Sequence, residues 1–232
     1  MGFGRGPKIV TDGLVLALDA ANTKSYPGSG TALNDLGPNR NSHTLLNGTG
    51  FTSEYGGGLT FDGTDDRVGT TDSSNLTPST VSFFAVAKQT STAQSTAFIG
   101  GYGNTGYDGY WLGASGADLK FSVGNNNTHN GGAGQFTIAS EDTNVHYLGG
   151  TFDGTTIKTY IDGNSPISYT HSNPGTLAYD SISQGFKLGN IEGNTGTRHW
   201  TGNIYYVQVY NRVLSDAEVL QNFNAIRSRF GL

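Results

Sequence analysis

Three stretches of the sequence combine side chains that are suited to holding a sugar. Residues 97–113 are punctuated by glycine and rich in aromatic rings, residues 124–134 read GNNNTHNGGAG, and Arg198-His199-Trp200 forms a third group. Sugar sites use aromatic faces for the CH groups of the ring and amides for its hydroxyls. Tyr110 and Trp111 also adjoin a predicted strand, so they can instead belong to the core. The candidate sugar contacts are Tyr102, Tyr107, Tyr110, Trp111, Asn125, Asn126, Asn127, His129 and Trp200.

A group of carboxylates surrounds the turn Asp62-Gly63. Asp62, Asp65 and Asp66 can supply hard oxygen ligands, which are the donors that calcium takes in proteins. Tight turns also favour Asp for a different reason, because its side chain hydrogen-bonds to nearby backbone groups. The sequence therefore leaves two interpretations open, a calcium site or a structural turn.

The sequence contains no pattern that predicts catalysis. Glycoside hydrolysis needs two carboxylates that face one cleft, yet Glu54, Glu141, Glu192 and Glu218 form no Glu-x-Asp-x-Glu array. No nucleophile elbow is present, and the five histidines lack the spacing of zinc ligands. We therefore expect a protein that is not an enzyme and that requires no cofactor.

Length and composition favour a single all-β domain. A chain of 232 residues can bury roughly 70–75% of its unfolded surface in one core. Its 36 glycines and 13% charged residues suit many short strands joined by turns. The absence of cysteine excludes disulfides and thiolate metal sites. A net charge of −5 without a basic stripe argues against nucleic acid as a partner, and we expect neither an export signal nor membrane insertion.

Residues 146–163, HYLGGTFDGTTIKTYIDG, predict an antiparallel hairpin that turns at Asp153-Gly154. Alternation places Leu148 and Phe152 on one apolar face and Tyr147 and Tyr160 on the other, so we expect a half-buried pair. Further strands are predicted over residues 9–19, 59–68, 81–87, 186–189 and 204–210.

The two ends of the chain differ from the strand-rich middle. Residues 1–8 begin MGFGRGP and predict a glycine-rich arm, whereas Ser215 and Glu218 form a capping box that starts a helix. That amphipathic helix either packs on its own sandwich or contacts another subunit. The predicted organisation is an arm over residues 1–8, a sandwich over residues 9–214 and a helix over residues 215–232.

Four segments in order resemble the LamG-like jelly-roll family of the concanavalin A-like lectin and glucanase superfamily. They are residues 10–31, the run GLTFDGTDDRV at 58–68, the hairpin at 146–163 and the run VYNRVLSDAEV at 209–219. The resemblance implies a two-sheet antiparallel jelly-roll sandwich with a C-terminal helix, and related LamG-type domains hold calcium at the rim. The chain departs from the family pattern at Ala32-Leu33, Phe83-Phe84 and Tyr205-Tyr206.

The opening segment, residues 10–31, resembles the start of this domain in virion proteins of tailed phages. The resemblance implies a non-enzymatic protein of the virion surface, made in the host cytoplasm. It would act either as a capsid decoration protein or a structural protein attached to the head or tail, or as an adhesin on the tail or fibres that recognises host surface polysaccharide. A free lectin or cell-surface module is a third hypothesis. Other virion proteins, copies of the chain itself and host glycans are the expected partners. The candidate assembly contacts are Phe3, Arg5, Tyr205, Tyr206, Phe223 and Phe230.

Overall fold

The computed structural model describes residues 7–70, 74–92, 96–103, 108–124, 135–172, 174–179, 185–191 and 198–232. Two antiparallel sheets pack face to face and one helix follows them, which confirms the predicted fold class. Among the described residues, no helix is long and apolar enough to span a membrane.

The described part of the chain contains sixteen short strands and the helix α1, Asp216–Phe230. All named strand pairs are antiparallel, as alternating apolar patterns and tight turns predict. The strands are β1 Leu14–Asp19, β2 Ala32–Asn34, β3 Ser42–Leu46, β4 Gly50–Thr52, β5 Gly58–Asp62, β6 Arg67–Thr70, β7 Val81–Gln89, β8 Thr96–Gly103, β9 Gly109–Ser115, β10 Asp118–Gly124, β11 Gln135–Ser140, β12 Val145–Phe152, β13 Thr156–Ile161, β14 Ile167–Thr170, β15 Phe186–Leu188 and β16 Thr201–Tyr210.

The strands divide into two sheets, which we call sheet I and sheet II. Sheet I has the order β14-β13-β12-β7-β16-β5-β4, with β1 also paired to β16. Sheet II has the order β11-β10-β9-β8-β15-β6-β3-β2. The main apolar core lies between the two sheets, and a second apolar layer lies between sheet I and α1.

Strand β7 shows why one central strand can serve both layers. Its run VSFFAVA is apolar at every position except Ser82, as the sequence predicts for a strand that is covered on both sides. Phe83 and Ala85 belong to the core between the sheets, whereas Phe84 and Val86 belong to the layer beneath the helix.

The hairpin β12–β13 forms around the predicted turn. Phe152 lies opposite Ile157, and both are fully buried. An Asp153 carboxylate oxygen accepts the backbone N–H groups of Thr155 at 2.8 Å and Thr156 at 2.6 Å, which fixes the turn. The local sequence therefore determines this hairpin.

The second face of the hairpin is buried rather than exposed, so the prediction of a half-buried pair is wrong. Tyr147 is fully buried and Tyr160 is 3% exposed. The reason is the terminal helix, whose Phe223 ring lies 5.9 Å from the ring of Tyr147. A hairpin pattern cannot reveal that a segment some sixty residues later will cover it.

Helix α1 begins and ends as its sequence predicts. The Ser215 hydroxyl accepts the backbone N–H of Glu218, and the Glu218 carboxylate accepts the backbone N–H of Ser215. The helix ends at Gly231, whose φ of 75° is the left-handed conformation that glycine adopts readily.

Arg229 fastens the last turn of α1 to the rest of the chain. Its guanidinium donates to the carbonyls of Tyr55 at 2.6 Å and Gly57 at 2.9 Å, and to the Asp19 carboxylate at 2.7 Å. Of the two interpretations of the helix, packing on its own sandwich is the one that the structure shows.

The aromatic residues proposed as assembly contacts near the C-terminus are buried within the chain, so the structure does not place them on a contact surface. Tyr205 is 1% exposed and Tyr206 is 6% exposed. A register shift between Ile204 and Tyr206 turns both tyrosines toward the helix, where strict alternation would separate them. Phe223 and Phe230 pack in the same layer. Phe3 and Arg5 lie outside the described residues.

His43 makes the core sensitive to acid. This histidine of β3 is 2% exposed, its two ring nitrogens have no hydrogen-bond partner among the described residues, and burial lowers its pKa from 6.5 to about 4. The unfolded chain therefore binds one more proton between these values. We expect the free energy of unfolding to fall by up to about 3 kcal/mol as the pH drops from 6.5 to 4.

Urea unfolding at pH 7 and pH 4.5 tests this acid sensitivity. The natural sequence should lose more stability on acidification than the variant His43→Phe. The difference between the two losses should equal the contribution of His43. An equal pH dependence in the variant and the natural sequence would show that His43 is not the group responsible.

Candidate functional site

The described rings of the proposed sugar platform are buried. Tyr102 is 7% exposed, Tyr110 0%, Trp111 3% and Trp200 1%. Tyr110 lies between the sheets, where its hydroxyl donates to the Leu76 carbonyl at 3.0 Å. The prediction of an open stacking surface is therefore wrong for these four rings. The remaining candidates, Tyr107, Asn125, Asn126, Asn127 and His129, lie outside the described residues.

Trp111 occupies a small apolar cluster on the outer face of sheet II. Its neighbours Tyr110 and Leu112 point into the core, so Trp111 points away from it. The Trp111 ring packs edge-on against Phe98 with centroids 5.1 Å apart, and Ile191 completes the cluster. Composition suggested a ligand surface here, but the ring is used for packing.

The carboxylates of Asp62, Asp65 and Asp66 converge in the turn between β5 and β6. One ligand oxygen from each residue lies within 4.8 Å of the other two. Asp62 and Asp65 are exposed and Asp66 is buried. The structure thus brings together the three residues that the sequence proposed as a metal site, at the edge of the sandwich.

Hydrogen bonds within the turn hold two of these carboxylates in place. One Asp62 oxygen accepts the backbone N–H of Thr64 at 2.8 Å, and one Asp66 oxygen accepts the backbone N–H of Asp62 at 3.0 Å. These are the bonds that the structural-turn interpretation predicts. Each of these two hydrogen bonds uses a single carboxylate oxygen.

The electrostatic environment of Asp66 favours a positive ligand. Burial raises the pKa of Asp66 above its usual value, and the nearby charges of Asp62 and Asp65 raise it further. The backbone N–H of Asp62 and the nearby His199 lower it only in part. A bound cation would lower the pKa of Asp66 again, because a positive charge beside the carboxylate favours its ionised form.

A neighbouring turn braces the carboxylate cluster. The Asn47 side-chain amide donates to the Asp65 carbonyl at 3.0 Å, and the Thr49 hydroxyl donates to the Arg67 carbonyl at 2.9 Å. Asn47 and His199 are not among the residues that the sequence predicts for this site. The dipeptide Asn47-Gly48 is a recognisable turn signal, but its contact with Asp65 spans 18 residues and depends on the sheet.

The described glutamates serve the fold rather than an open cleft. Glu54 accepts hydrogen bonds from Tyr205, Lys88 and Asn203, and Glu218 pairs with Arg212 at 2.6 Å. Both carboxylate oxygens of Glu141 are buried. Glu192 lies outside the described residues. These three described glutamates do not form the facing pair that glycoside hydrolysis needs.

The two-sheet fold and the carboxylate cluster of Asp62, Asp65 and Asp66 at its rim together define a lectin-like sandwich. The model of the Concanavalin A-like lectin/glucanases superfamily, in its laminin G type, matches residues 62–220, which is more than half of the chain. The chain belongs to this family. No curated protein matches the sequence.

Solved structures of the same fold come from proteins with different activities. The sialidase of Trypanosoma rangeli in complex with sialic acid superposes with a TM-score of 0.69 at 17% identity, over 99% of this chain and 35% of the sialidase. The binding domain of botulinum neurotoxin DC in complex with SialylT gives 0.67 at 13% identity, over 93% and 52%. The binding domain of Paraclostridial mosquitocidal protein 1 gives 0.64 at 13% identity, over 92% and 52%.

The chain spans about a third to a half of the length of these three structures. At such low identity the similarity establishes the fold alone. Because the fold occurs both in a sialidase and in toxin binding domains, it does not by itself decide between catalysis and binding.

Proposed function

We propose that this chain is a non-catalytic binding module on the surface of a phage particle, and that it holds host polysaccharide at the rim around Asp62, Asp65 and Asp66. The observation that carries the proposal is the convergence of these three carboxylates at an exposed turn of a lectin-like sandwich. Because the described aromatic rings of the proposed sugar platform are buried, this rim is the best-supported contact face among the described residues.

Calcium is the proposed cofactor of the rim. The ion takes six to eight oxygen ligands, whereas the cluster supplies one oxygen from each of three aspartates. A calcium bound there would keep coordination positions for water or for sugar hydroxyls. The oxygen-only donor set and the raised pKa of Asp66 both fit such an ion.

A glycan is the proposed ligand because of the family and the exposed position of the cluster. The similar structures include complexes with sialic acid and with SialylT, which supports the same ligand class here. A site with so few protein contacts would bind weakly, so we further propose that several copies act together and gain avidity. The symmetric sites of a particle would provide that multiplicity.

The phage assignment rests on the resemblance of residues 10–31 to tailed-phage virion proteins. We propose no catalytic role because two of the described glutamates are bonded to other parts of the fold: Glu54 to Lys88 of β7 and Tyr205 of β16, and Glu218 of α1 to Arg212. A free lectin or cell-surface module has no such support.

Retention on immobilised host polysaccharide tests the proposed site. The motif FDGT occurs twice, at residues 61–64 and 152–155, with the same Asp-to-backbone hydrogen bond of 2.8 Å in each turn. We expect Asp62→Asn to reduce calcium-dependent retention at least tenfold and the matched control Asp153→Asn to leave it unchanged. Retention that is equal in EDTA and in calcium would contradict a calcium-dependent site.

Capsid decoration is the second candidate, because large apolar side chains are exposed among the described residues, two of them by nearly half. Ile167 is 48% exposed on the edge strand β14, and Leu220 is 45% exposed on α1. Such residues suit a protein contact.

Quantitative mass spectrometry and antibody-labelled electron microscopy of purified virions separate the two roles. Hundreds of copies over the head would indicate decoration, and a few dozen copies at the tail would indicate an adhesin.

A further inference from the structure

His146 lies between two carboxylates that belong to different turns. Its Nδ1 atom is 2.6 Å from Oδ2 of Asp162, in the turn that follows β13, and its Nε2 atom is 3.0 Å from Oδ1 of Asp142, in the turn that precedes β12. The His146 side chain is only 16% exposed, so water competes weakly with either contact.

The two contacts together require the charged form of the ring. A neutral imidazole carries one N–H and one bare nitrogen, whereas the imidazolium carries two N–H groups. A carboxylate cannot donate a hydrogen bond when it is ionised. Both contacts of His146 are therefore hydrogen bonds only while the ring is protonated.

The two turns are otherwise held by separate bonds. Asp162, with a φ of 49°, uses its Oδ1 to accept the backbone N–H of Tyr147 at 2.9 Å. Asp142 accepts the backbone N–H of Asn144 at 2.7 Å within its own turn. His146 thus joins the turn of Asp142 to a turn that Asp162 already bonds to β12.

The other charged groups near His146 point elsewhere or pair with one another. On β7, Lys88 binds Glu54 on the helix side of sheet I. On β10, Asp118 pairs with Lys120 at 3.3 Å. Glu141 precedes Asp142 in the chain; its carboxylate oxygens are buried, and burial raises its pKa.

We propose that His146 is a pH-sensitive staple that joins the β11–β12 turn to the turn after β13 and releases the β11–β12 turn when the ring loses a proton. The neutral ring keeps the shorter Nδ1 bond to Asp162. The bond to Asp142 is lost, because Nε2 then has no proton to donate. Of the two carboxylates, Asp142 is the more exposed, at 43% against 23% for Asp162. Water therefore replaces the histidine more readily at Asp142.

The direction of the pH effect follows from the same contacts. The hydrogen bond to Asp162, together with the charges of both aspartates, raises the pKa of His146 above 6.5. The stabilisation is therefore complete below pH 6.5 and is lost as the pH rises through the raised value. For each pH unit that the contact with Asp142 adds to the pKa of His146, the turn should open about tenfold more often once the proton has left.

Ring-nitrogen NMR and amide hydrogen exchange on the full chain test the staple. We expect His146 to titrate above pH 6.5, and the amides of residues 142–145 to lose protection in the same pH range. The amides of residues 161–163 should keep theirs.

Two variants make the test specific. Asp142→Asn should move the His146 titration toward 6.5 and abolish the step in exchange. Asp153→Asn, at the opposite end of the same hairpin, should change neither. A His146 pKa at or below 6.5, or exchange in residues 142–145 that shows no step when His146 titrates, would overturn the proposal.

Discussion

Replacing Trp111 with Ala should lower the free energy of unfolding by about 3–5 kcal/mol, as expected when a large aromatic side chain is removed from a packed site. Trp111 is 3% exposed and packs against Phe98 and Ile191, so its removal leaves a cavity on sheet II. Thermal unfolding followed by circular dichroism would show a melting temperature lower by roughly 10 °C or more.

An exposed aromatic residue provides the control for this substitution. Phe51 is 39% exposed on the edge strand β4, so Phe51→Ala should change the stability far less. If Trp111→Ala retained the natural melting temperature and lost only polysaccharide retention, Trp111 would be a sugar contact and its packed position would be wrong.

Replacing Arg229 with Ala should destabilise the protein by about 2–3 kcal/mol, because it removes three charge-assisted hydrogen bonds and leaves Asp19 without its cationic partner. The change should loosen the packing of α1 on Tyr205, whose ring lies 5.7 Å from the ring of Phe230 in the helix. Urea unfolding measures the loss, and tyrosine fluorescence reports on the layer beneath the helix.

Arg227 provides a matched control in the same last turn. It is exposed and lies over the Phe223 ring at 5.8 Å without a carboxylate partner among the described contacts. Arg227→Ala should therefore cost less than about 1 kcal/mol. Equal losses in the two variants would mean that Arg229 does not fasten the helix.

Features encoded by neighbouring residues could be predicted from the sequence. The Asp153-Gly154 turn, the Ser215 cap and the carboxylate cluster each depend on groups a few residues apart, and the structure places them as expected. The hydrogen bonds at these positions join residues that are close in the sequence, so short motifs determine them.

Features that depend on distant segments could not be predicted in this way. The bulge near Tyr205 places two consecutive rings on one side, although alternation predicts opposite sides. Trp111 is covered by Ile191, eighty positions later in the chain. In both cases the residue type allows a surface role, and only the fold decides that the ring is buried.

Calorimetric titration of calcium into the purified chain tests whether the rim binds calcium. We expect one ion to bind per chain, binding to be lost in Asp66→Asn, and binding to be retained in Asp153→Asn. Bound calcium should also raise the melting temperature by mass action. Absence of binding at millimolar calcium, or equal binding by Asp66→Asn, would rule out the calcium site and leave the three carboxylates as a structural turn.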